Sequence, residues 1–465
     1  MISLTNSENH LCEILSGCTA KLRREDASLA ALELRIAGGW VRDKLLGKPS
    51  DDIDVAITPL TGLPFAEALA EYLQSIEPQQ KISIARIDAN PNQSKHLETA
   101  RMKVSGYEVD FVNLRSETYA TGSRIPQMSL GTPLEDALRR DITINSLFYN
   151  IHTRQVEDFT GKGLEDLKNG LVRTPLEPFQ TFSDDPLRVL RCIRFATRYG
   201  FTLDNTIIEA AQRDAIRRGV CENVSKERIG TEIDKMLNCR LKYSKFYHLL
   251  TSLAQQPLEA LTNLSKTKLH DIVFGVSGDG VEGDALEASY ALAAGHLLQY
   301  ALYEPAKLGI TERLSQFVTQ DKLLIRRLWL GVALIPYFNM QVKEKKKIVT
   351  APAFIASNCL KVSYNIIDKY LNSIDFSMAM LSGHTSTISS SVATSFVKIS
   401  GVLIWMTGLR LRRLWDMWMY IGLHKGQTGP RQYSSHSFRS SSRCTTGVDV
   451  TMVSKRFSKY PLTYR

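Results

Sequence analysis

Apolar and polar positions follow two rhythms along this chain, and the change between them near residue 185 divides it. Before that point, short apolar or alternating runs at 34–37, 53–57, 82–87 and 107–114 have the signature of β-strands. Residues 11–30, 41–46 and 63–77 read as helices between them, and the polar stretch 88–95 reads as a mobile loop. A helical run at 134–140 leads into a strand-like 144–149, then a turn and the pair Val156-Glu157. The first 160 or so residues thus predict a mixed α and β domain.

From Asp185 the pattern turns helical. Leu187–Tyr199, Lys226–Leu237 and residues 206–217 predict three helices, and 243–254 and 285–303 continue the trend around a Gly- and acid-rich loop at 275–283. A helical body extends to about residue 375. From about 381 the character changes again, to a Ser/Thr-rich run, an apolar patch at 401–409, a Trp/Met/Arg segment and a Ser/Arg/Thr-rich end. This tail reads as weakly ordered or foreign to the domain. The fold class is α+β, a head with a mixed sheet followed by an all-helical neck and body. The expected divisions are 1–30, an N-terminal helical extension; 31–165, the head; 166–240, the neck; 241–380, the body; and 381–465, an atypical basic tail.

Composition narrows the class. A length of 465 residues allows two to four domains. Hydrophobic content of 43% and charged content of 23% are those of a soluble globular protein. Seven cysteines without a CxxC pair argue against a structural zinc site or a disulfide scaffold and suit a reducing compartment. The net charge of +10 is confined: 381–465 carries 12 Lys+Arg against 2 Asp+Glu, and the other 380 residues carry 46 of each. A nucleic-acid surface in the body must therefore come from clustering. Residues 1–20 show neither a secretory pattern nor a visible transit peptide, and 402–409 is too short to span a bilayer, so no membrane segment is expected.

Candidate chemistry concentrates in four places. Gly38-Gly39 closes a strand and opens a helix carrying Arg42, an arrangement that lets backbone and guanidinium approach phosphate, and equally a tight turn. Asp52 and Asp54 are two apart on a strand and share a face, while Ile53, Val55 and Ile57 point to the buried side. Two such carboxylates repel unless a cation offsets them, and Mg2+ is the fitting hard ion. Asp110 is a candidate third carboxylate, and Glu108 shares its parity. Arg139-Arg140-Asp141, with Asn145 beyond, suits a phosphate and a ribose, and also a surface ion-pair cluster. In Asp184-Asp185-Pro186-Leu187-Arg188, Asp185 suits an N-cap and Pro186 the first turn. Arg188, Arg191, Arg194 and Arg198 then form one basic stripe, and Asp185 with Arg188 can present acceptor and donor edges to a base.

These residues resemble the class II tRNA nucleotidyltransferases, the CCA-adding enzymes, relatives of the bacterial-type poly(A) polymerase. The run Gly38-Gly39-x-x-Arg42-Asp43…Leu46-Gly47…Asp52-x-Asp54 is similar to the family's first motif, and Arg139-Arg140-Asp141-x-x-x-Asn145 to its ribose-selecting motif. Asp158-Phe159-x-Gly161-x-x-x-x-Asp166-Leu167 resembles the motif joining head to neck, and Asp184-Asp185-x-x-Arg188 the base-selecting motif. Val224-Ser225-x-Glu227-Arg228-Ile229-x-x-Glu232 resembles a helix-stabilising element. The likeness spans roughly 30–240, and the wording of 107–115 is closest to eukaryotic, especially fungal, members.

The resemblance implies a polymerase-beta-like head and template-independent addition of CMP and AMP, from CTP and ATP, to the tRNA 3′ end. It implies two Mg2+ ions on Asp52 and Asp54, and a nucleotide held by Gly38, Gly39, Arg42, Arg140, Asp141, Asn145, Asp184, Asp185, Arg188, Arg191 and Arg194. It implies a loop at 88–96 that helps the change from CTP to ATP. The expected partners are the tRNA 3′ end, ATP and CTP, with no membrane and no protein partner. The expected location is cytoplasm and nucleus, with a mitochondrial share that such members commonly have but for which no presequence is seen. Residues after about 375 depart from the family and look like translation of a wrong frame or a retained intron. A poly(A)-adding relative, a catalytically idle RNA-binding homologue and a metabolic nucleotidyltransferase remain the alternatives.

Overall fold

The computed structural model describes residues 2–78, 82–87, 99–118, 127–237, 257–276, 280–303, 322–344 and 347–360. The loop expected at 88–96, the helix expected at 243–254 and the tail at 381–465 lie outside them.

Helix α1 (Asn6–Glu25) starts on a reciprocal cap. The Glu8 amide donates to Thr5 Oγ1, and the Thr5 amide donates to the Glu8 carboxylate. Strand β1 (Glu33–Ala37), helix α2 (Gly39–Leu45), strand β2 (Ile53–Thr58) and helix α3 (Gly62–Ile76) follow, close to the expected bounds. Next come β3 (Ile84–Ile87), β4 (Thr99–Val104) and β5 (Tyr107–Asn113). Strand β4 was absent from the hydrophobic pattern. It forms a hairpin with β5 in which Ala100, Met102 and Val104 turn inward and Arg101 and Lys103 outward. A two-stranded ribbon, β6 (Arg115–Thr118) with β7 (Gln127–Leu130), precedes α4 (Pro133–Leu138). The expected strand at 144–149 divides into a single tight turn, Thr143–Asn145, and a short strand β8 (Phe148–Asn150), which pairs with β9 (Gln155–Glu157).

The main sheet has the order β3-β4-β5-β2-β1-β8-β9. All its pairings are antiparallel except β2 with β5, which run parallel. Ile53, Val55, Ile57, Val109 and Phe111 are buried on one face, against α3 and beyond it α1. Phe65 of α3 meets Phe111 with ring centroids 5.4 Å apart. Burying an aromatic or aliphatic side chain of this size contributes about 2 kcal/mol. The opposite face is thinner: Ala37, Ala56, Leu114, Ala137 and Phe148 make a separate small cluster. Asp54 and Asp110 belong to that second face, which leaves them open to a ligand.

Past α5 (Gly163–Asn169), the chain becomes mainly helical. A short parallel pair, β10 (Leu171–Val172) with β11 (Thr202–Leu203), flanks α6 (Pro178–Asp184) and α7 (Leu187–Tyr199). The expected helix at 206–217 is two, α8 (Asn205–Ala211) and α9 (Asp214–Asn223), and α10 (Lys226–Leu237) packs beside α7. Helices α11 (Pro257–Lys266), α12 (His270–Phe274) and α13 (Ala288–Tyr303), with Lys322–Leu334, enclose the fully buried Trp329. The body is not all-helical. Strands β12 (Val281–Glu282), β13 (Gln341–Glu344) and β14 (Lys347–Thr350) form a small antiparallel sheet. Its Lys- and Glu-rich hairpin has Val342 as its one fully buried apolar side chain, so alternation is faint there. No helix among the described residues is long and apolar enough to cross a membrane.

Candidate active site

The open face of the sheet and helix α7 together line a cavity of about 530 Å³. Eight arginines contribute to its wall, from Arg42 and Arg115 to Arg191 and Arg198, against three acids, Asp54, Asp136 and Asp141.

The sheet wall carries the acids. Asp54 stands in register with Asp110 across the parallel β2–β5 pair, and Asp52 lies exposed just before β2. Burial, then the charges of Asp52 and Asp110, push the Asp54 carboxyl up to about 6, against the pull of Arg140 and Arg115. A carboxylate raised by its own neighbours is relieved by a cation, so the chemistry of the donor set fits a hard divalent ion. Asp110, expected as a third carboxylate, already has a partner. Arg101 of β4 donates Nε to Oδ1 at 2.6 Å and Nη2 to Oδ2 at 2.7 Å. Glu108 is exposed and lies 4.0 Å from Arg101.

The Gly-Gly turn is fixed by conformation and by contact. Gly38 has φ of 70°, and a Cβ there would lie 2.6 Å from Arg140 Nη1. Gly39 lines the cavity, while Gly38 shapes the turn beneath it. Arg42 is buried. It donates to Asn145 Oδ1 and to Asp43 Oδ1, and its guanidinium lies 4.8 Å from the Tyr199 ring centroid and 5.3 Å from that of Phe195. The Tyr199 hydroxyl donates to the same Asp43 oxygen at 2.9 Å.

The arginine pair after α4 is braced from below. Asp136, 1% exposed, accepts from both Arg139 and Arg140, at 2.8 Å from Arg140 Nη2. Arg140 also donates to the Asn145 carbonyl at 3.0 Å, and Arg139 to Glu117 at 2.9 Å. Asp141 is buried and accepts from the Ile142 amide, Asn145 Nδ2 and Arg191 Nε and Nη2. Burial alone would raise its carboxyl. Arg191's charge, and the hydrogen bonds from Asn145 and Arg191, outweigh burial and hold it at about 2. With those donors in place Asp141 is nearly saturated.

Helix α7 has the predicted ends, with Asp185 accepting from the Leu187 amide at 3.1 Å and Gly200 closing it in the left-handed region. Its arginines do not form a solvated stripe. Arg188 lies 3.5 Å from Glu117, Arg191 grips Asp141, Arg194 is buried against Glu232, and the exposed Arg198 lies over Tyr199. Arg194 lines the cavity but is committed to Glu232 of α10, which gives the expected nucleotide contact a structural competitor. Arg188 lines the cavity as well, while Asp184 and Asp185 do not. Asp185 pairs with Arg228 at 2.9 Å. Burial raises the Asp184 carboxyl and Arg188 draws it back.

The site also holds residues that motif reading passed over. Asp136 precedes Arg139 and Arg140 by three and four positions, a helical spacing that signals their brace. Arg228 and Glu232, by contrast, stand in the helix-stabilising motif read from the sequence; they share a face of α10 and tie it to Arg194 of α7 and to Asp185 at its start. Arg101, Glu117 and Asn113 gave no local signal.

The Poly A polymerase head domain family matches residues 34–173. The tRNA nucleotidyltransferase cca1 of Schizosaccharomyces pombe is 38% identical over 376 residues, covering 80% of this chain and 70% of its own length. The mitochondrial CCA tRNA nucleotidyltransferase of Saccharomyces cerevisiae is 39% identical over 397 residues, with the same coverage. Among solved structures, a CCA-adding enzyme in its apo form II superposes with a TM-score of 0.54 at 19% identity, over 91% of this chain and 86% of that one, a likeness of fold. With an α+β head, helical regions behind it and relatives of this extent, the chain belongs to the class II, CCA-adding tRNA nucleotidyltransferases.

Proposed function

We propose that this enzyme adds CMP and AMP, from CTP and ATP, to the 3′ end of tRNA without a nucleic acid template. The observation that carries the reading is the cavity itself, in which Asp54, its carboxyl raised by burial and by the charges of Asp52 and Asp110, faces a wall of eight guanidinium groups. A divalent metal is the cofactor. We assign it as Mg2+, held by Asp52 and Asp54, where it would lower the pKa of the RNA 3′-hydroxyl and offset charge on the leaving pyrophosphate.

The chain's own residues do the positioning on which phosphoryl transfer depends. The Gly38-Gly39 turn admits the triphosphate close to the backbone, and Arg140, braced by Asp136, directs donors at its oxygens. Arg42, stacked on Tyr199 and Phe195, keeps its charge at the cavity floor. The Asn145–Asp141–Arg191 network borders the ribose. Arg188, steadied by Glu117, offers its donors to the base edge, with Asp184 beside it and Asp185 fixing the helix start. The hydroxyl attacks the α-phosphate in line, and pyrophosphate leaves.

The test is incubation of the full chain with Mg2+, CTP, ATP and tRNA ending before C-C-A, read at nucleotide resolution. Ordered addition of C, C and A followed by arrest is expected. A long adenylate tail would replace this reading with poly(A) addition, and no incorporation would overturn it.

A further inference from the structure

Strand register places Asp110 between two neighbours, Asp54 on β2 and Arg101 on β4. Arg101 takes both carboxylate oxygens in a two-pronged fork, the geometry in which a guanidinium holds a carboxylate best. Three carboxylates, Asp52, Asp54 and Asp110, thus stand near one another on the open face of the sheet, and among the described residues no group of three His, Cys, Asp or Glu side chains is placed to hold a metal ion. The fork engages one lone pair on each Asp110 oxygen, and its positive charge opposes a cation there.

We propose that Arg101 is a positioning residue that withholds Asp110 from the cation's ligand set and thereby sets how tightly the site holds its metal. The inference rests on the reading of Asp52 and Asp54 as the metal pair. With the fork closed, the cation meets Asp52 and Asp54 while Arg101 occupies one face of each Asp110 oxygen. With the fork gone, it meets three anions and a third oxygen donor. Arg101 is half-exposed on a strand face, with a side-chain relative exposure of 47%, so replacing it leaves the apolar core untouched.

The experiment is Mn2+ binding to the full chain without nucleotide, followed by the electron paramagnetic resonance of free Mn2+. Arg101→Met is expected to tighten the dissociation constant about tenfold, equivalent to about 1.4 kcal/mol. Adding Asp110→Asn to it should return the constant to the wild-type value, which a merely structural role for Arg101 would not do. Arg101→Lys keeps a charge without the fork and should fall between, so the series stands even if the methionine variant folds poorly. Unchanged affinity in both Arg101 variants overturns the proposal. Mn2+ binding that survives Asp52→Asn combined with Asp54→Asn overturns the underlying metal pair instead, and this inference with it.

Discussion

The two walls of the cavity handle charge in opposite ways. On the sheet wall, Asp54 is buried and then crowded by Asp52 and Asp110, and its carboxyl rises to about 6. On the helix wall, Arg188, Arg191 and Arg194 each meet a carboxylate, and Arg198 lies over an aromatic ring. The sheet wall is incomplete without a cation. The helix wall is already complete, so its guanidinium groups are donors fixed in direction rather than a diffuse positive surface. Non-specific attraction to RNA falls off with salt. Recognition by fixed donors depends on the pairs that hold them.

That contrast breaks most sharply at Asp54. Asp54→Asn should lower single-turnover incorporation of CMP by about a thousandfold or more, the scale on which a principal charge-stabilising group acts. Its melting temperature should be unchanged or higher, since a crowded charge is gone. Near-normal incorporation would remove the sheet wall from the chemistry. On the other wall, Arg194→Met leaves buried Glu232 with only the exposed Lys235, 3.9 Å away, and should cost about 3 kcal/mol in urea unfolding, with most of it recovered in the double variant Arg194→Met with Glu232→Met. If Arg194→Met instead weakens nucleotide binding at unchanged stability, Arg194 belongs to the nucleotide.

Asp141 tests the joint between the walls by pH. Its folded-state pKa, about 2, lies below the unfolded value, so its stabilisation is complete above about pH 4 and disappears as pH falls through about 2. The contribution at neutral pH is about 2 kcal/mol. Asp141→Asn should lose it and flatten that part of the acid limb in unfolding titrations; an unaltered limb would dismiss the pair as a source of stability. The smallest effect belongs to Arg198. Arg198→Ala should alter stability by less than about 0.5 kcal/mol and reduce the salt dependence of tRNA binding by about one counterion. A slope equal to wild type would place Arg198 away from the RNA.

What the sequence made legible follows the strength of local signals. Helix α7 was readable because apolar periodicity, Asp185 and Pro186 agree. The turn at Gly38 and the cavity-facing position of Asp54 were readable because glycine and strand alternation carry geometry with them, whereas Asp52 falls just before β2 rather than on it. Strand β4 was lost because its inward residues include Ala100 and Met102, weak strand formers, and its outward ones are long and charged. The β13–β14 hairpin was lost because Lys and Glu dominate it and Ile348 faces outward, so its alternation is faint. The couplings of Arg101 with Asp110, Arg194 with Glu232 and Arg188 with Glu117 were illegible because each joins separate elements. Yet they decide which charges in the cavity are spoken for. Motif spacing brought these residues to one place, and only packing distinguished Arg194, which is held, from Arg198, which is exposed.

The single parallel pairing in the main sheet has a consequence for the order of folding. The β4–β5 hairpin closes a tight turn and is cheap in chain entropy, whereas β2 and β5 can pair only after the long excursion through α3 has closed. Loop-closure entropy therefore predicts that Arg101 reaches Asp110 before Asp54 does, so that the acidic face gains its intramolecular counter-ion ahead of its cation site, an order that φ-values at Arg101 and Asp54 would read out.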